Sequence, residues 1–187
     1  MFTHRYPCNT MRIISGKYKS RRIQVPANLN ARPTTDFAKE GLFNVLNNLL
    51  EWEDLTALDL FSGTGSIAFE LISRGASYVV GVEINQLHYN FICKTQDQLG
   101  AKELFPLKGD AFKYLQHATQ QFDLIFADPP YDLRDLEKIP ELIISRQLVK
   151  EGGIFVMEHS SRYDFSQLPH FNELRRYGNV HFSIFTF

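Results

Sequence analysis

The sequence predicts a doubly wound α/β domain, and three observations carry that prediction. Short apolar runs recur at TALDLF (56–61), YVVGVE (78–83), LFPLKG (104–109), FDLIFAD (122–128) and GIFVMEH (153–159). Segments long enough for helices lie between them, and alternation of this kind implies parallel strands joined by crossover helices. The composition agrees: 187 residues, 44% hydrophobic and 22% charged, fit one globular domain and exclude a disordered or coiled-coil chain.

The elements follow in order. Met11–Gly16 and Arg21–Val25, joined by KYKS, read as a short basic β-hairpin that Pro26 ends. Residues 36–50 read as a helix, with Leu42, Phe43, Leu46, Leu49 and Leu50 at three-to-four spacing and Thr35 as its cap. Asp36 and Glu40 suit the positive end of that helix. SIAFELISR (66–74) and HYNFICKTQDQL (88–99) read as crossover helices. ELRRYG (173–178) and VHFSIFTF (180–187) leave no room for a helix between them, so they predict an antiparallel hairpin at a sheet edge. Together with the five earlier runs this makes a mostly parallel seven-stranded sheet, preceded by a small N-terminal hairpin.

No apolar stretch approaches the roughly 18–20 residues that cross a bilayer, and MFTHRYPCNT lacks a signal-peptide core. A cytoplasmic protein without a membrane partner is expected. Cys8 and Cys93 and the six histidines show no ligand spacing, so free thiols and no metal site are expected.

The net charge of −1 hides an asymmetry. Residues 1–40 hold eight Lys/Arg against Asp36 and Glu40, a net of +6 that leaves −7 for the remainder. A basic arm on an acidic body is the electrostatic footprint of a nucleic-acid binder.

In a doubly wound sheet the ligand binds outside the carboxyl ends of the strands. The first parallel run ends in DLFSGTG (59–65), where Gly63 and Gly65 allow a sharp turn and a close backbone approach. GTGSIA (63–68) satisfies G-x-G-x-x-[G/A], and Glu83 lies near the distance of about 20 residues expected of a ribose-binding acid. That much also fits a nicotinamide-dependent dehydrogenase. DPPY (128–131), directly after FDLIFA, separates the options. Two prolines break the strand and leave carbonyl groups free to accept, so Asp128 and a prolyl carbonyl can receive both hydrogens of a planar amine. Tyr131 can stack on the attached ring. A dehydrogenase has no use for DPPY.

DLFSGTG, VEIN, GDAF and DPPY, in this order, resemble the Rossmann-like class I methyltransferases that act on amino groups with S-adenosyl-L-methionine, releasing S-adenosyl-L-homocysteine. The resemblance implies that Glu83 accepts from the ribose hydroxyls. Asp59 and the turn Phe61, Ser62, Gly63 and Gly65 would hold the methionine end. Asp110 would face the adenine amino group, with Ile84 and Ala111 flanking the ring. Asp128, Pro129, Pro130 and Tyr131 would form the catalytic set.

MRIISGKYK (11–19), Arg21-Arg22, RPTTD (32–36), LFN (42–44), SRGA (73–76) and RYG (176–178) closely resemble the RsmD family, bacterial guanine-N2 methyltransferases of small-subunit 16S ribosomal RNA. The resemblance covers residues 11–187. It implies an extension at 11–35 that contacts RNA through Arg12, Lys17, Lys19, Arg21, Arg22 and Arg32, and a methyltransferase domain at 36–187. The implied partner is 16S rRNA in an assembling or assembled subunit, and a monomer is the default. Residues 1–10 fall outside it and are read as a segment ahead of Met11 as the natural start. Two positions depart from the family pattern, Ala68 in place of Gly and Gly41 in place of Ala. Gly41 is expected to cost its helix up to about 1 kcal/mol. The competing reading for DPPY is an adenine-N6 methyltransferase acting on DNA or RNA. A non-enzymatic RNA-binding module would explain the basic arm alone.

Overall fold

A computed structural model describes residues 10–29 and 35–187. Arg32, the rest of the 30–34 loop and residues 1–9 lie outside the described residues. The described residues hold β1 (Thr10–Arg12), β2 (Arg22–Gln24), α1 (Asp36–Leu46), β3 (Thr56–Leu60), α2 (Ser66–Arg74), β4 (Tyr78–Glu83) and α3 (Gln86–Leu99). They continue with β5 (Leu104–Lys108), α4 (Ala111–His117), β6 (Phe122–Ala127), α5 (Lys138–Ser145), β7 (Val149–His159), β8 (Phe171–Tyr177) and β9 (Val180–Thr186).

Seven strands form one sheet in the order β5-β4-β3-β6-β7-β9-β8. The first five in space are parallel, while β9 runs antiparallel to both β7 and β8. This is the predicted mostly parallel α/β sheet with its antiparallel edge hairpin. One sheet face is covered by α1, α2, α3 and the N-terminal hairpin, the other by α4, α5 and Phe165. Strand order reverses at β3, whose neighbours are β4 and β6, and this switch point opens the crevice. No helix among the described residues is long and apolar enough to cross a membrane.

Several bounds differ from the sequence expectation for local reasons. α1 stops at Leu46, short of residue 50, because the Asn47 side chain accepts from Trp52 Nε1 at 2.9 Å and from Arg74 Nη1 at 3.1 Å. β7 begins at Val149 and crosses Gly152-Gly153 through an irregularity in its pairing with β6, so its apolar run understates its length. α4 and α5 are not foreseen from the sequence. α4 is only seven residues long, and α5 carries Pro140 in its first turn, which a helix accepts there because that N–H has no intrahelical partner.

β1 and β2 form their own two-stranded sheet, but Met11, Ile13 and Val25 are buried in the core shared with α1 and α2. A buried charge cluster holds them there. The Glu70 carboxylate, fully buried in α2, accepts the Ile14 N–H at 2.7 Å, the Ser15 N–H at 3.0 Å and Arg74 Nε at 2.9 Å. Lys39, 1% exposed, lies 3.8 Å from Glu70 and donates to the Arg12 carbonyl at 2.6 Å and to Ser66 Oγ at 3.1 Å. Gly41 is also needed for packing, since a Cβ there would stand 2.2 Å from the Tyr177 ring. The helix cost expected of this glycine is offset by the close seat it gives Tyr177.

Candidate active site

The crevice at the carboxyl ends of β3, β4, β6 and β7 holds a cavity of about 560 Å³. Its first wall is the turn after β3. Phe61 has φ of +62°, a region that bulky residues rarely occupy, and Gly63 and Gly65 follow at +55° and +76°. A Cβ on Gly65 would meet the Phe69 ring at 2.9 Å, so glycine lets the turn close down on α2. The Ser62 N–H donates to the Val82 carbonyl at 2.9 Å, which ties the turn to β4.

Glu83 ends β4 and is 6% exposed. Its Oε2 accepts the Gly63 N–H at 2.8 Å and its Oε1 accepts the Asn85 N–H at 2.6 Å, so one carboxylate links the glycine turn to the start of α3. Ile84 stands 62% exposed at the rim, with Asp110 and Ala111 across the same cavity. Asp110 also caps α4, accepting the Lys113 N–H at 2.9 Å.

Asp59, on β3, lines the cavity although it is 2% exposed. Its carboxylate accepts the Ala68 N–H at 3.2 Å. Burial pushes its carboxyl up to about 7, and the nearby charge of Glu83 adds to the rise.

The opposite wall is Asp128, Pro129, Pro130 and Tyr131, directly after β6. The Asp128 N–H donates to the Leu60 carbonyl at 3.4 Å, holding the end of β6 against that of β3. The Pro130 carbonyl accepts the Leu133 N–H at 2.9 Å, whereas the Pro129 carbonyl enters no backbone–backbone bond among the described residues. Tyr131 is half-buried, and its hydroxyl donates to Glu158 Oε1 at 3.2 Å.

Residues 11–186 match the family described as "Conserved hypothetical protein 95". Ribosomal RNA small subunit methyltransferase D of Escherichia coli (strain K12) is 30% identical over 159 residues, covering 85% of this chain and 79% of that protein. The chain belongs to the RsmD family. The protein of the same name from Buchnera aphidicola subsp. Baizongia pistaciae is 28% identical over 180 residues, covering 94% and 91% of the two chains. Among solved structures, the Escherichia coli protein yhhF, a presumed methyltransferase, superposes with a TM-score of 0.84 at 24% identity, covering 95% of this chain and 98% of that one.

Every residue that the sequence assigned to cofactor or catalysis, except Gly65, lines the cavity, and Gly65 shapes the turn beside it. Thr35 does two things, capping α1 at 3.2 Å from the Ala38 N–H and lining the cavity mouth. The basic set is not gathered in the same way. Arg12 pairs with Asp36 at 2.9 Å and Glu40 at 2.6 Å, and Lys17 pairs with Glu103. The Lys17 backbone N–H bonds the Ser73 carbonyl near the end of α2, the helix end remote from the crevice. Lys19, Arg21 and Arg22 are exposed and enter no ion pair among the described residues.

Sequence reasoning missed Glu158 and His88. Both line the cavity, and His88 Nδ1 lies 3.9 Å from Glu83. Glu158 was findable, since it sits at the carboxyl end of an apolar run, where the crevice rule directs attention. His88 carries no comparable signal.

Proposed function

We propose that the protein transfers a methyl group from S-adenosyl-L-methionine to the exocyclic N2 amine of a guanine in small-subunit (16S) ribosomal RNA, acting as a cytoplasmic monomer. The observation that carries this reading is the meeting, in one cavity, of the glycine turn with Glu83 and the Asp128–Tyr131 segment. The names of the relatives support the RNA class.

The chain's residues fit the cofactor on their own chemistry. A turn whose glycines have positive φ suits a close-lying ligand, Glu83 offers an acceptor to hydroxyl groups, and the half-exposed Ile84 offers an apolar face to a purine. Asp59 is a buried carboxylate that suits a cationic amino group. Bound there, S-adenosylmethionine supplies an electrophilic methyl group on sulfur and departs as S-adenosylhomocysteine. Asp128 and the Pro129 carbonyl accept the two amine hydrogens and aim the nitrogen lone pair into the cavity. Tyr131 stacks on the extruded base, which leaves its stack most cheaply from an RNA loop. The Asp128 carboxylate takes the proton that the nitrogen sheds as the new N–C bond forms. Guanine N2 is a weak nucleophile, so placement is the main source of rate, a contribution that reaches about 7–11 kcal/mol in well-oriented reactions.

Asp128→Ala tests this assignment of roles. Methyl transfer to small subunits is expected to fall at least about 100-fold, while calorimetric affinity for S-adenosylmethionine stays near wild type. Near-normal turnover in that variant would remove Asp128 from the mechanism.

A further inference from the structure

Glu158 lies near the end of β7, beside the strand that leads into Asp128. It is 4% exposed, lines the cavity and accepts the Tyr131 hydroxyl at 3.2 Å. β6 and β7 run parallel with Ala127, the last residue of β6, opposite Met157, so Asp128 leaves β6 at the level of Glu158. Side chains alternate along a strand, so Glu158 shares a sheet face with Val156, and Asp128, just past the end of β6, lines the same cavity. Neighbouring strands lie about 4.8 Å apart, so the amine end of the cavity has two carboxylates side by side.

Such a pair selects for a ligand edge rich in N–H groups, because an ionised carboxylate accepts hydrogen bonds and cannot donate them. The nucleobases differ on this point. Guanine presents N1–H beside the two hydrogens of N2, three donors in a row. Adenine presents the two hydrogens of N6 beside a bare N1, whose lone pair would face the second carboxylate. A carboxylate has about four lone-pair sites, so Glu158 can accept from Tyr131 and from a base edge together.

We propose that Glu158 is a specificity-determining residue of the amine pocket, accepting guanine N1–H while Asp128 and the Pro129 carbonyl hold N2. The Tyr131 hydroxyl donates to one Glu158 oxygen, and the Tyr131 ring carries the base. This inference rests on the guanine-N2 reading above and adds the physical reason that the pocket prefers guanine to adenine.

2-Aminopurine separates the two, since it keeps the 2-amine but has a bare N1. The experiment uses small subunits reconstituted with ribosomal RNA carrying either guanine or 2-aminopurine at the methylated position. The wild-type protein is expected to favour guanine by about 10- to 100-fold in kcat/KM, the size expected for one mismatched buried polar group. In Glu158→Gln, whose amide can donate to a bare N1, the preference should shrink at least about 10-fold, with S-adenosylmethionine affinity unchanged. Tyr131→Phe should lose rate on both substrates and keep the preference.

An absent preference in the wild-type protein overturns the inference without any variant. An unchanged preference in Glu158→Gln, with N2-methylguanosine still formed, overturns the role of Glu158 and leaves the guanine reading standing. Equal collapse of the preference in Tyr131→Phe would mean that Glu158 acts only through Tyr131, against direct contact. Wild-type label in adenine, or none at all, overturns both readings.

Discussion

Asp59 sits in an environment that resists its charge. Its carboxyl is pushed up to about 7 by burial, far above the ordinary 3.8, so the folded chain binds its proton more tightly than the unfolded chain does. The favourable contribution of the protonated group is therefore complete below pH 4, declines as pH rises and is gone above about 7. Asp59→Asn should raise the Tm of the ligand-free protein, with a gain that grows between pH 4 and 7 and is constant above, as thermal unfolding across that range would reveal. The same substitution should weaken binding of S-adenosylmethionine, because the carboxylate proposed to face its amino group is lost. In the wild-type protein, calorimetric affinity should rise as pH passes through about 7, where Asp59 ionises; affinity flat from pH 6 to 8 would contradict that role. The sequence exposed this residue's position, in the run TALDLF, but not its burial. That depends on α2 folding back on the sheet, where the Ala68 N–H donates to the Asp59 carboxylate at 3.2 Å.

The hairpin and α2 behave as one unit because Glu70 satisfies two hairpin N–H groups and faces Lys39 and Arg74. Removing one partner of a buried ion cluster leaves an uncompensated charge, so Glu70→Ala should cost about 3–5 kcal/mol in denaturant unfolding. Amide exchange at Ile14 and Ser15 should quicken in that variant before the sheet is affected; a variant as stable as wild type would show that the cluster is not the staple. This cluster was invisible in the sequence, where Glu70 reads as an ordinary charge inside SIAFELISR. The strands were far more legible. β3, β4 and β6 are buried on both faces and so appear as continuous apolar runs, whereas α4 and α5 are too short or too interrupted to display a helical period. Of the site, DPPY and the glycine turn were readable because their chemistry is local. The position of Glu158 at the end of an apolar run was readable too, but its partner Tyr131 was not, because that contact comes from the chain after the strand beside it. Gly41 shows the opposite error, a residue read as a defect whose reason is the Tyr177 ring at the end of β8.

Taken as a molecule, the chain spreads the described basic residues of its N-terminal arm along α2. α2 runs from the crevice at Ser66 to its far end at Arg74, about 12 Å by helical rise, and the loop carrying Lys17 docks near that far end. Arg12 and Arg22, paired across the hairpin, sit at the crevice end, since the Arg12 carbonyl and the cavity-lining Ser66 share the Lys39 ammonium. A long polyanion engaging both ends would cover the length of α2. Replacing Lys19, Arg21 and Arg22 together by Ala should raise KM for the RNA and leave kcat nearly unchanged, with a salt slope shallower by about 0.7–0.9 for each phosphate that is no longer neutralised. A kcat that falls with KM unchanged would show that these residues act on the chemical step instead. Guanine-N2 methylation itself is tested most directly by transfer of labelled methyl groups from S-adenosylmethionine to small subunits taken from cells lacking this gene, followed by nucleoside analysis. Label in N2-methylguanosine is the expected result; label in N6-methyladenosine would keep the fold and the cofactor and contradict the guanine assignment.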